Sequence, residues 1–451
     1  MELKGKKVLV FGAGKSGIGA ADLLNAVGAC PVLYDGKADL DKESVLHKIS
    51  GNYELPIYAG ELPKEVQESL YLVVLSPGVP TDLPVVEKMK AAGIRIWGEV
   101  ELAYENAKGD VLAITGTNGK TTTTSLLGEI MKCWKESVYV VGNIGNPYTQ
   151  AAPKMTEESV TVAEISSFQL ETIDQFHPKV SAILNITPDH PNRHHTMEEY
   201  IRVKELITKN QTSEDTCVLN YEDPILRAFG ENLQIRVLFF SSERKLKQGL
   251  YLEDETIWYA DESQKLAICK TQDLNIVGKH NYENVMAAAG MALSYGVPLE
   301  KIQEAVKAFQ AVEHRIEFVT EKSGVVYYND SKGTNPDAAI KGIQAMSRPT
   351  LLIGGGYDKG SDYTEWIQSF DGKVKYLVLL GVTKEKIAET ARKCGFDNII
   401  MTESLEEAVK VCAENAESGD AVLLSPACAS WDMFPSYEVR GRRFKELVRN
   451  L

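Results

Sequence analysis

Residues 111–121, VLAITGTNGKT, run an apolar strand straight into a glycine- and threonine-rich turn that ends on Lys120 and Thr121. A strand stopping on such a turn presents backbone N–H groups at its carboxyl end, and a following helix adds the positive end of its dipole. The turn therefore predicts a loop that cradles phosphate oxygens, with Lys120 as a point charge and Thr121 as a holder of Mg²⁺. Ile114 stands where a strict phosphate loop carries its first glycine, but the compact TGTNGKT form has few purely structural uses. A chain containing it is expected to be α/β, with ligands gathered at strand carboxyl ends.

The rest of the chain follows the same rhythm. KKVLVFG (6–12), PVLYD (31–35), YLVVLSPG (71–78) and IRIWG (94–98) are short and nearly continuous in apolar character, as strands of a parallel sheet buried on both faces must be. SVYVVG (137–142), SVTVAEIS (159–166) and VSAILNI (180–186) continue it around the phosphate loop, and residues 235–277 suggest a small antiparallel excursion. After the amphipathic helix LEKIQEAVKAF (299–309), a third block of buried strands begins with VVYYND (325–330) and ends with AVLLSPA (421–427). The expected fold is three α/β domains in series. They are a Rossmann-like N-terminal domain (1–98), a phosphate-loop ATPase-like central domain (99–310) and a Rossmann-like C-terminal domain (311–451), about what 451 residues accommodate.

Charge and cysteine usage narrow the setting. An excess of 63 acidic over 49 basic residues, net −14, argues against nucleic acid or an anionic membrane as partner, although a local pocket can still be positive. No apolar run reaches the ~20 residues of a membrane span, and MELKGKKVLV enters a strand without the pattern of a signal peptide. The seven cysteines stand singly with no CxxC spacing, which disfavours disulfides and structural zinc and favours a reducing, cytoplasmic location.

Each domain carries a glycine-rich turn after a strand. Gly12-Ala-Gly14-Lys-Ser-Gly17, with Asp35 ending the next strand, has the spacing of a dinucleotide or nucleoside-diphosphate fingerprint; the alternative is a tight turn with no ligand. The SPG turn at 76–78 falls beside the same crevice. Glu164, His190 and Lys204 follow the phosphate loop at or near strand ends, where a carboxylate reaches a cation. His194 and His195 lack acidic or thiol partners at zinc spacing. Asn281 and Asn284 stand at a helix start, where asparagine often only caps. Arg315 marks the junction of the second and third blocks, and NDSKGTN (329–335), GGGYDK (354–359) and SPACASW (425–431) follow strands of the third. Cys428 lacks a base and orienter, so a buried small side chain is expected there rather than a nucleophile.

In this order TGTNGKT, EISSFQLE, NITxDH, GKHNxxN, EHRIE, NDSKGTNP and LLSPACAS resemble the Mur ligase family of ATP-dependent amide-bond ligases, over essentially the whole chain. The GAGKSG start and ACAS ending look most like the branch that adds D-glutamate to UDP-N-acetylmuramoyl-L-alanine during peptidoglycan precursor synthesis. The resemblance implies that Gly116, Thr117, Asn118, Gly119, Lys120 and Thr121 hold ATP phosphates, with Asn281, Arg315 and Asp330 facing the nucleotide. It implies Mg²⁺ held by Thr121, Glu164, His190 and Lys204, the last as a carbamate, and makes Lys120, Glu164, His190 and Lys204 the catalytic set. Ser16, Gly17, Asp35 and Gly78 would line the UDP site, and Asn143 with His190 would touch the muramoyl-alanine arm. Lys332, Thr334, Lys359, Ser430 and Tyr437 would receive D-glutamate.

The expected partners are these small molecules alone, with no nucleic acid or membrane insertion, handled by a cytoplasmic monomer. Two departures stand out. Pro191-Asn192-Arg193 replaces a Leu-Asp-Arg-like stretch, and Trp431 is bulkier than the aliphatic residue of relatives, which would reshape the glutamate pocket. A folate-type polyglutamate ligase would lack the GAGKSG domain, and a nicotinamide dehydrogenase would leave TGTNGKT unexplained. A non-catalytic nucleotide sensor would not need every metal and phosphate position filled.

Overall fold

The computed structural model describes all residues except Met1, Asn52, Gly145, His190 and Val277, so the candidate His190 lies outside the described residues. The strands, in chain order, begin with β1 (Lys7–Phe11), β2 (Cys30–Asp35), β3 (Ile57–Ala59), β4 (Leu72–Leu75) and β5 (Arg95–Gly98). These form a five-stranded parallel sheet of order β3-β2-β1-β4-β5. The order reverses direction at β1, and the carboxyl ends beside it are the place where an open sheet takes a ligand. Leu72–Leu75 is buried at every position, which is why its run reads as continuous apolar sequence.

The central sheet uses β6 (Asp110–Thr115), β7 (Val138–Gly142), β8 (Val160–Glu164), β9 (Val180–Ile183), β10 (Thr216–Asn220), β11 (Arg236–Ser241), β12 (Gly249–Glu253), β13 (Thr256–Ala260) and β14 (Lys265–Lys270). Its order is β14-β13-β12-β11-β10-β9-β6-β8-β7. Pairing is parallel from β7 through to β12 and turns antiparallel at β12–β13, across a hairpin whose Asp254 and Glu255 both have positive φ. The expected antiparallel excursion is thus an extension of the central sheet: its first two strands are parallel, and only the hairpin end is antiparallel.

The third sheet contains β15 (Glu317–Lys322), β16 (Val325–Asn329), β17 (Thr350–Gly354), β18 (Val374–Leu379), β19 (Ile399–Met401) and β20 (Ala421–Leu424), in the order β15-β16-β20-β17-β18-β19. Only the β15–β16 edge pair is antiparallel. Two apolar clusters cover its faces, one around Trp366 and Leu377, the other around Phe444 and Val378.

The three α/β domains are therefore present as three sheets, but the chain divides into two compact units. One comprises Met1–Ile268 with Asn284–Val306, and the other Cys269–Glu283 with Lys307–Leu451. The first two sheets fall in one unit because they share a core, which runs from Val8, Val10 and Leu33 through Trp97, Val100 and Leu102 to Val111 and Ala163. The helix Glu99–Tyr104 is the hinge pin of that core. Its fully buried Glu101 accepts hydrogen bonds from the backbone N–H groups of Asp174 (2.8 Å), Gln175 (2.7 Å) and Phe176 (3.0 Å), satisfying its charge inside the protein. No helix among the described residues is long and apolar enough to cross a membrane.

Candidate active site

The turn after β6 is built as its sequence predicts. Gly116 (φ 143°) and Gly119 (φ 86°) hold conformations that side chains resist, and a Cβ on Gly119 would collide with Asn284 Oδ1. Gly119 caps the helix Lys120–Lys132, so that helix's amino end faces the loop. Distant residues then fix each peptide. The Thr117 N–H donates to Asn185 O (2.9 Å), and the Asn118 N–H donates to Asn185 Oδ1 (2.8 Å). Thr117 Oγ1 donates to Thr187 O (3.0 Å) and lies 3.1 Å from Tyr200 OH.

Two lysines converge on one carbonyl. Lys120 Nζ donates to Gly116 O and Thr117 O, both at 2.9 Å, and Lys204 Nζ donates to the same Gly116 O at 2.9 Å. Lys204 is 1% exposed and lies over the Tyr200 ring at 4.7 Å. Burial, and next the charge of Lys120, hold its ammonium well below the ordinary lysine range, against a smaller opposing pull from Asp189.

Glu164 ends β8 in register with Ile114, next to the loop. It is 2% exposed; its Oε1 accepts from Asn143 Nδ2 (2.9 Å), while its Oε2 is buried without a hydrogen-bond partner. An orphaned buried carboxylate oxygen beside a phosphate loop fits a hard cation, whose preferred ligands are oxygens. Asn143 also lines a cleft of about 210 Å³ at the carboxyl edge of the first sheet, together with Lys15, Ser16, Pro77, Pro147 and Gln169. The predicted Ser16 and Asn143 are thus brought to one cavity. Gly17 lets its helix close on the Gly12 carbonyl, where a Cβ would not fit, and Gly78 is open, with nothing near its Cβ direction. Asp35 has another duty: its oxygens accept from the backbone N–H groups of Ala13 (2.9 Å) and Lys37 (3.0 Å), so it shapes the first loop.

Within the second unit, Arg315 sits between two non-glycine residues with positive φ, His314 (68°) and Ile316 (44°). Such paired strain is found where surroundings over-determine the backbone. Here the Ile316 N–H donates to Asp330 Oδ1 (3.3 Å), the His314 N–H to Glu317 Oε2 (3.0 Å), and the Lys332 N–H to His314 O (3.1 Å). Burial pushes the Asp330 carboxyl up to about 7, opposed by the Ser425 hydroxyl that donates to it at 2.7 Å. Asn281 is buried at the start of the helix Lys279–Tyr295.

Of the five residues expected to receive an amino acid, Lys332, Thr334, Lys359 and Ser430 lie on loops of the third domain, and Tyr437 opens the helix Tyr437–Arg449. Lys359 Nζ reaches Thr334 O (3.5 Å) and lies 5.5 Å from the Trp431 ring, and Lys332 Nζ lies 5.2 Å from the Tyr437 ring. Ser430 is buried, and its hydroxyl has no hydrogen-bond partner. Trp431 is 63% exposed and packs against Tyr357 at 5.5 Å. Cys428 is buried against Tyr363 OH (3.1 Å), and burial raises its thiol, as befits an inert side chain.

Sequence reasoning missed the supports Asn185, Thr187 and Tyr200 under the phosphate loop and the buried Arg440, and it read Asn284, which stands beside Gly119, as a residue that often only caps. The Arg440 guanidinium donates to Ser331 O (2.8 Å), Cys428 O (3.2 Å) and Ala429 O (3.3 Å), fastening two third-sheet loops together. The one signal available was an asparagine or arginine close to a motif already singled out, as Asn185 is in NITPDH.

A glycine-rich strand-to-helix turn of phosphate-loop form beside an orphaned buried carboxylate, in a chain of three α/β sheets, has the form expected of a modular ATP-dependent ligase. Comparison with known proteins agrees. Residues 6–98 match the MurD-like N-terminal domain of Mur ligases, 114–292 the Mur ligase middle domain, and 314–428 the Mur ligase glutamate ligase domain. The chain belongs to the Mur ligase family. It is 59% identical to a UDP-N-acetylmuramoylalanine–D-glutamate ligase of Lachnoclostridium phytofermentans, covering 100% of this chain and 99% of that one. The ligase of the same name from Clostridioides difficile is 48% identical, with both chains covered in full. Among solved structures, the UDP-N-acetylmuramate-alanine ligase of Thermotoga maritima shares the fold at a TM-score of 0.61 and 19% identity over 99% of each chain. A MurF ligase from the same organism, in complex with ADP, aligns with a TM-score of 0.59 at 18% identity over 93% of this chain and 94% of its own.

Proposed function

We propose that this enzyme joins the amine of D-glutamate to the alanyl carboxylate of UDP-N-acetylmuramoyl-L-alanine, converting ATP to ADP and phosphate. A carboxylate is a poor electrophile, so the carboxylate oxygen first attacks the γ-phosphorus of ATP and ADP leaves. The amine then attacks the acyl carbon of the resulting acyl phosphate, loses a proton and displaces phosphate. In this reading residues 1–98 hold the UDP end, 99–310 ATP and Mg²⁺, and 311–451 the amino acid. The observation that carries it is the double engagement of Asn143, which lines the first-sheet cleft and holds Glu164. A substrate lying in that cleft has its carboxylate arm directed toward the group beside the phosphate loop.

The chain's own residues divide the work. The loop amides and Lys120, whose Nζ also donates to the Gly116 and Thr117 carbonyls, take the phosphates. Asn281, Arg315 and Asp330 serve the nucleotide, and Lys332, Thr334, Lys359, Ser430 and Tyr437 the incoming D-glutamate. Ser16, Gly17, Asp35 and Gly78 form the UDP end, Asp35 through the loop it shapes. Glu164 with Thr121, His190 and Lys204 would hold Mg²⁺, which supplies charge neutralisation on the transferring phosphoryl group. Burial favours the neutral amine of Lys204, the form that adds CO₂, and the carbamate so made is a carboxylate-like oxygen ligand. ATP and nucleotide-sugar substrates, and cysteines that are all free, fit a reducing, cytoplasmic setting.

Phosphate release from ATP tests the reaction, with UDP-N-acetylmuramoyl-L-alanine and D-glutamate, L-glutamate or no amino acid. Turnover with D-glutamate is expected; release only with L-glutamate would overturn the substrate assignment. Carbon-13 NMR after equilibration with labelled bicarbonate should show a carbamate signal that K204A lacks.

A further inference from the structure

We infer that Arg193 is a positioning residue that braces both walls of the first-sheet cleft and thereby sets its grip on the nucleotide-sugar substrate, an inference resting on the substrate reading above. Arg193 belongs to none of the expected binding sets, yet its side chain is only 12% exposed. Its Nη2 donates to Val79 O at 3.0 Å, on the turn that follows β4. Its Nε donates to Glu171 Oε1 (3.0 Å), and its Nη2 donates to Glu171 Oε2 (2.6 Å). The guanidinium also lies 4.9 Å from the Phe168 ring.

Both partners adjoin the cleft along the chain. Val79 is two residues past Pro77, which lines it from the first sheet, and Glu171 is two residues past Gln169, which lines it from the central domain. The turn itself is tight: the Val79 N–H donates to Ser76 O (2.9 Å), and Ser76 Oγ donates to Gly12 O (3.3 Å) on the first glycine-rich loop. Glu171 closes the capped helix Ser167–Leu170, whose Gln169 side chain donates to Glu99. A single planar fork therefore ties the turn of one wall to the helix of the other. A lysine ammonium has the charge but not the geometry to hold both partners at once. The group is partly buried and paired with a carboxylate that is itself 10% exposed, so removing it leaves Glu171 without its main partner.

The test measures direct binding of UDP-N-acetylmuramoyl-L-alanine by calorimetry without ATP, and the Michaelis constants of all three substrates, for R193M, R193K and E171Q. R193M is expected to weaken nucleotide-sugar binding and raise its KM about tenfold, with KM for ATP and D-glutamate within about twofold of wild type. R193K, which keeps the stem over Phe168 and the charge opposite Glu171, is expected to fall between, at about threefold. E171Q should resemble R193K, and these two variants decide the matter if R193M does not fold. A brace that only stabilises the fold would lower kcat or the melting temperature and leave the three Michaelis constants alike; that result overturns the proposal. Unchanged nucleotide-sugar binding in R193M and R193K overturns it equally. Absence of binding by the wild-type enzyme would instead overturn the substrate assignment, and with it this use of the brace.

Discussion

The first and central sheets each end a buried strand on a glycine-rich turn that opens a helix and carries a lysine at its start, Lys15 in one and Lys120 in the other. Around the first turn two side chains lend support: Asp35 accepts from the Ala13 amide, and Ser76 Oγ donates to the Gly12 carbonyl. Around the second, Asn185, Thr187, Tyr200, Lys204 and Asn284 all converge. Two loops with the same grammar thus differ in how far their geometry is preset. A loop that binds the spectator end of a substrate needs shape alone. A loop at the reacting phosphate must have its dipoles aimed beforehand, because reorganisation during the reaction is what catalysis avoids.

Exchanging the two lysines for alanine sharpens this contrast most. K120A is expected to lower kcat by about a thousandfold, and K15A to raise only the KM of the nucleotide sugar, by less than about fivefold. Equal losses in phosphate-release assays would break the distinction. Adding a methyl group to each turn is the next test. Gly119 has φ 86° and meets Asn284, whereas Gly14 has φ −77° and open space. G119A should weaken ATP binding by about a hundredfold, and G14A should leave both binding and stability near wild type. Fluorescent-nucleotide titration and thermal melts read the two effects.

The cleft between these sheets also carries a pH signature. Burial pushes the Glu99 carboxyl from its ordinary 4.5 up to about 7, with the Gln169 hydrogen bond opposing. Because the folded value is the higher one, its stabilising contribution is complete below pH 4.5 and is lost as pH rises through 7. E99Q, neutral throughout, should melt at the same temperature as wild type at pH 4 and a few degrees higher at pH 8, a difference of at most about 3 kcal/mol. A smaller effect is expected of Y200F. Loss of its hydroxyl contact with Thr117 should raise the KM for ATP about fivefold, the scale of one hydrogen bond, and leave the nucleotide-sugar KM unmoved.

How much of this was readable in advance follows the distance over which each feature is encoded. VLAITGTNGKT announces its own strand, turn and helix because all its conformational requirements are local. Apolar runs such as LVVL and TLLIG likewise declared parallel strands buried on two faces. The short β3 is half-buried throughout and the edge strand β15 is half-buried to exposed, so neither carries a clean pattern, whereas β10, TCVLN, is buried at every position but mixes threonine and asparagine with its apolar residues. At the site, the motifs offered candidates for the groups that touch substrate, and most of the residues that support them were not legible. Thr117 meets Thr187 and Tyr200 across separations of 70 and 83 residues, and Thr123 meets Asn284 across 161. Such pairings exist only once the sheet has assembled. Asp35 shows the converse: its position in the fingerprint is right, but its oxygens are engaged by backbone amides.

The shared core of the first two sheets bears on how pieces of this chain can be exchanged. The sequence invites a cut after Gly98, at the end of the first sheet. The helix that follows carries Glu99 and Glu101 into central-domain loops and packs Val100 and Leu102 beneath both sheets. A graft of the first 98 residues from another ligase would bring a new crevice but meet a foreign socket. Grafts taken through Tyr104, with the matching stretch at 169–176, would carry plug and socket together.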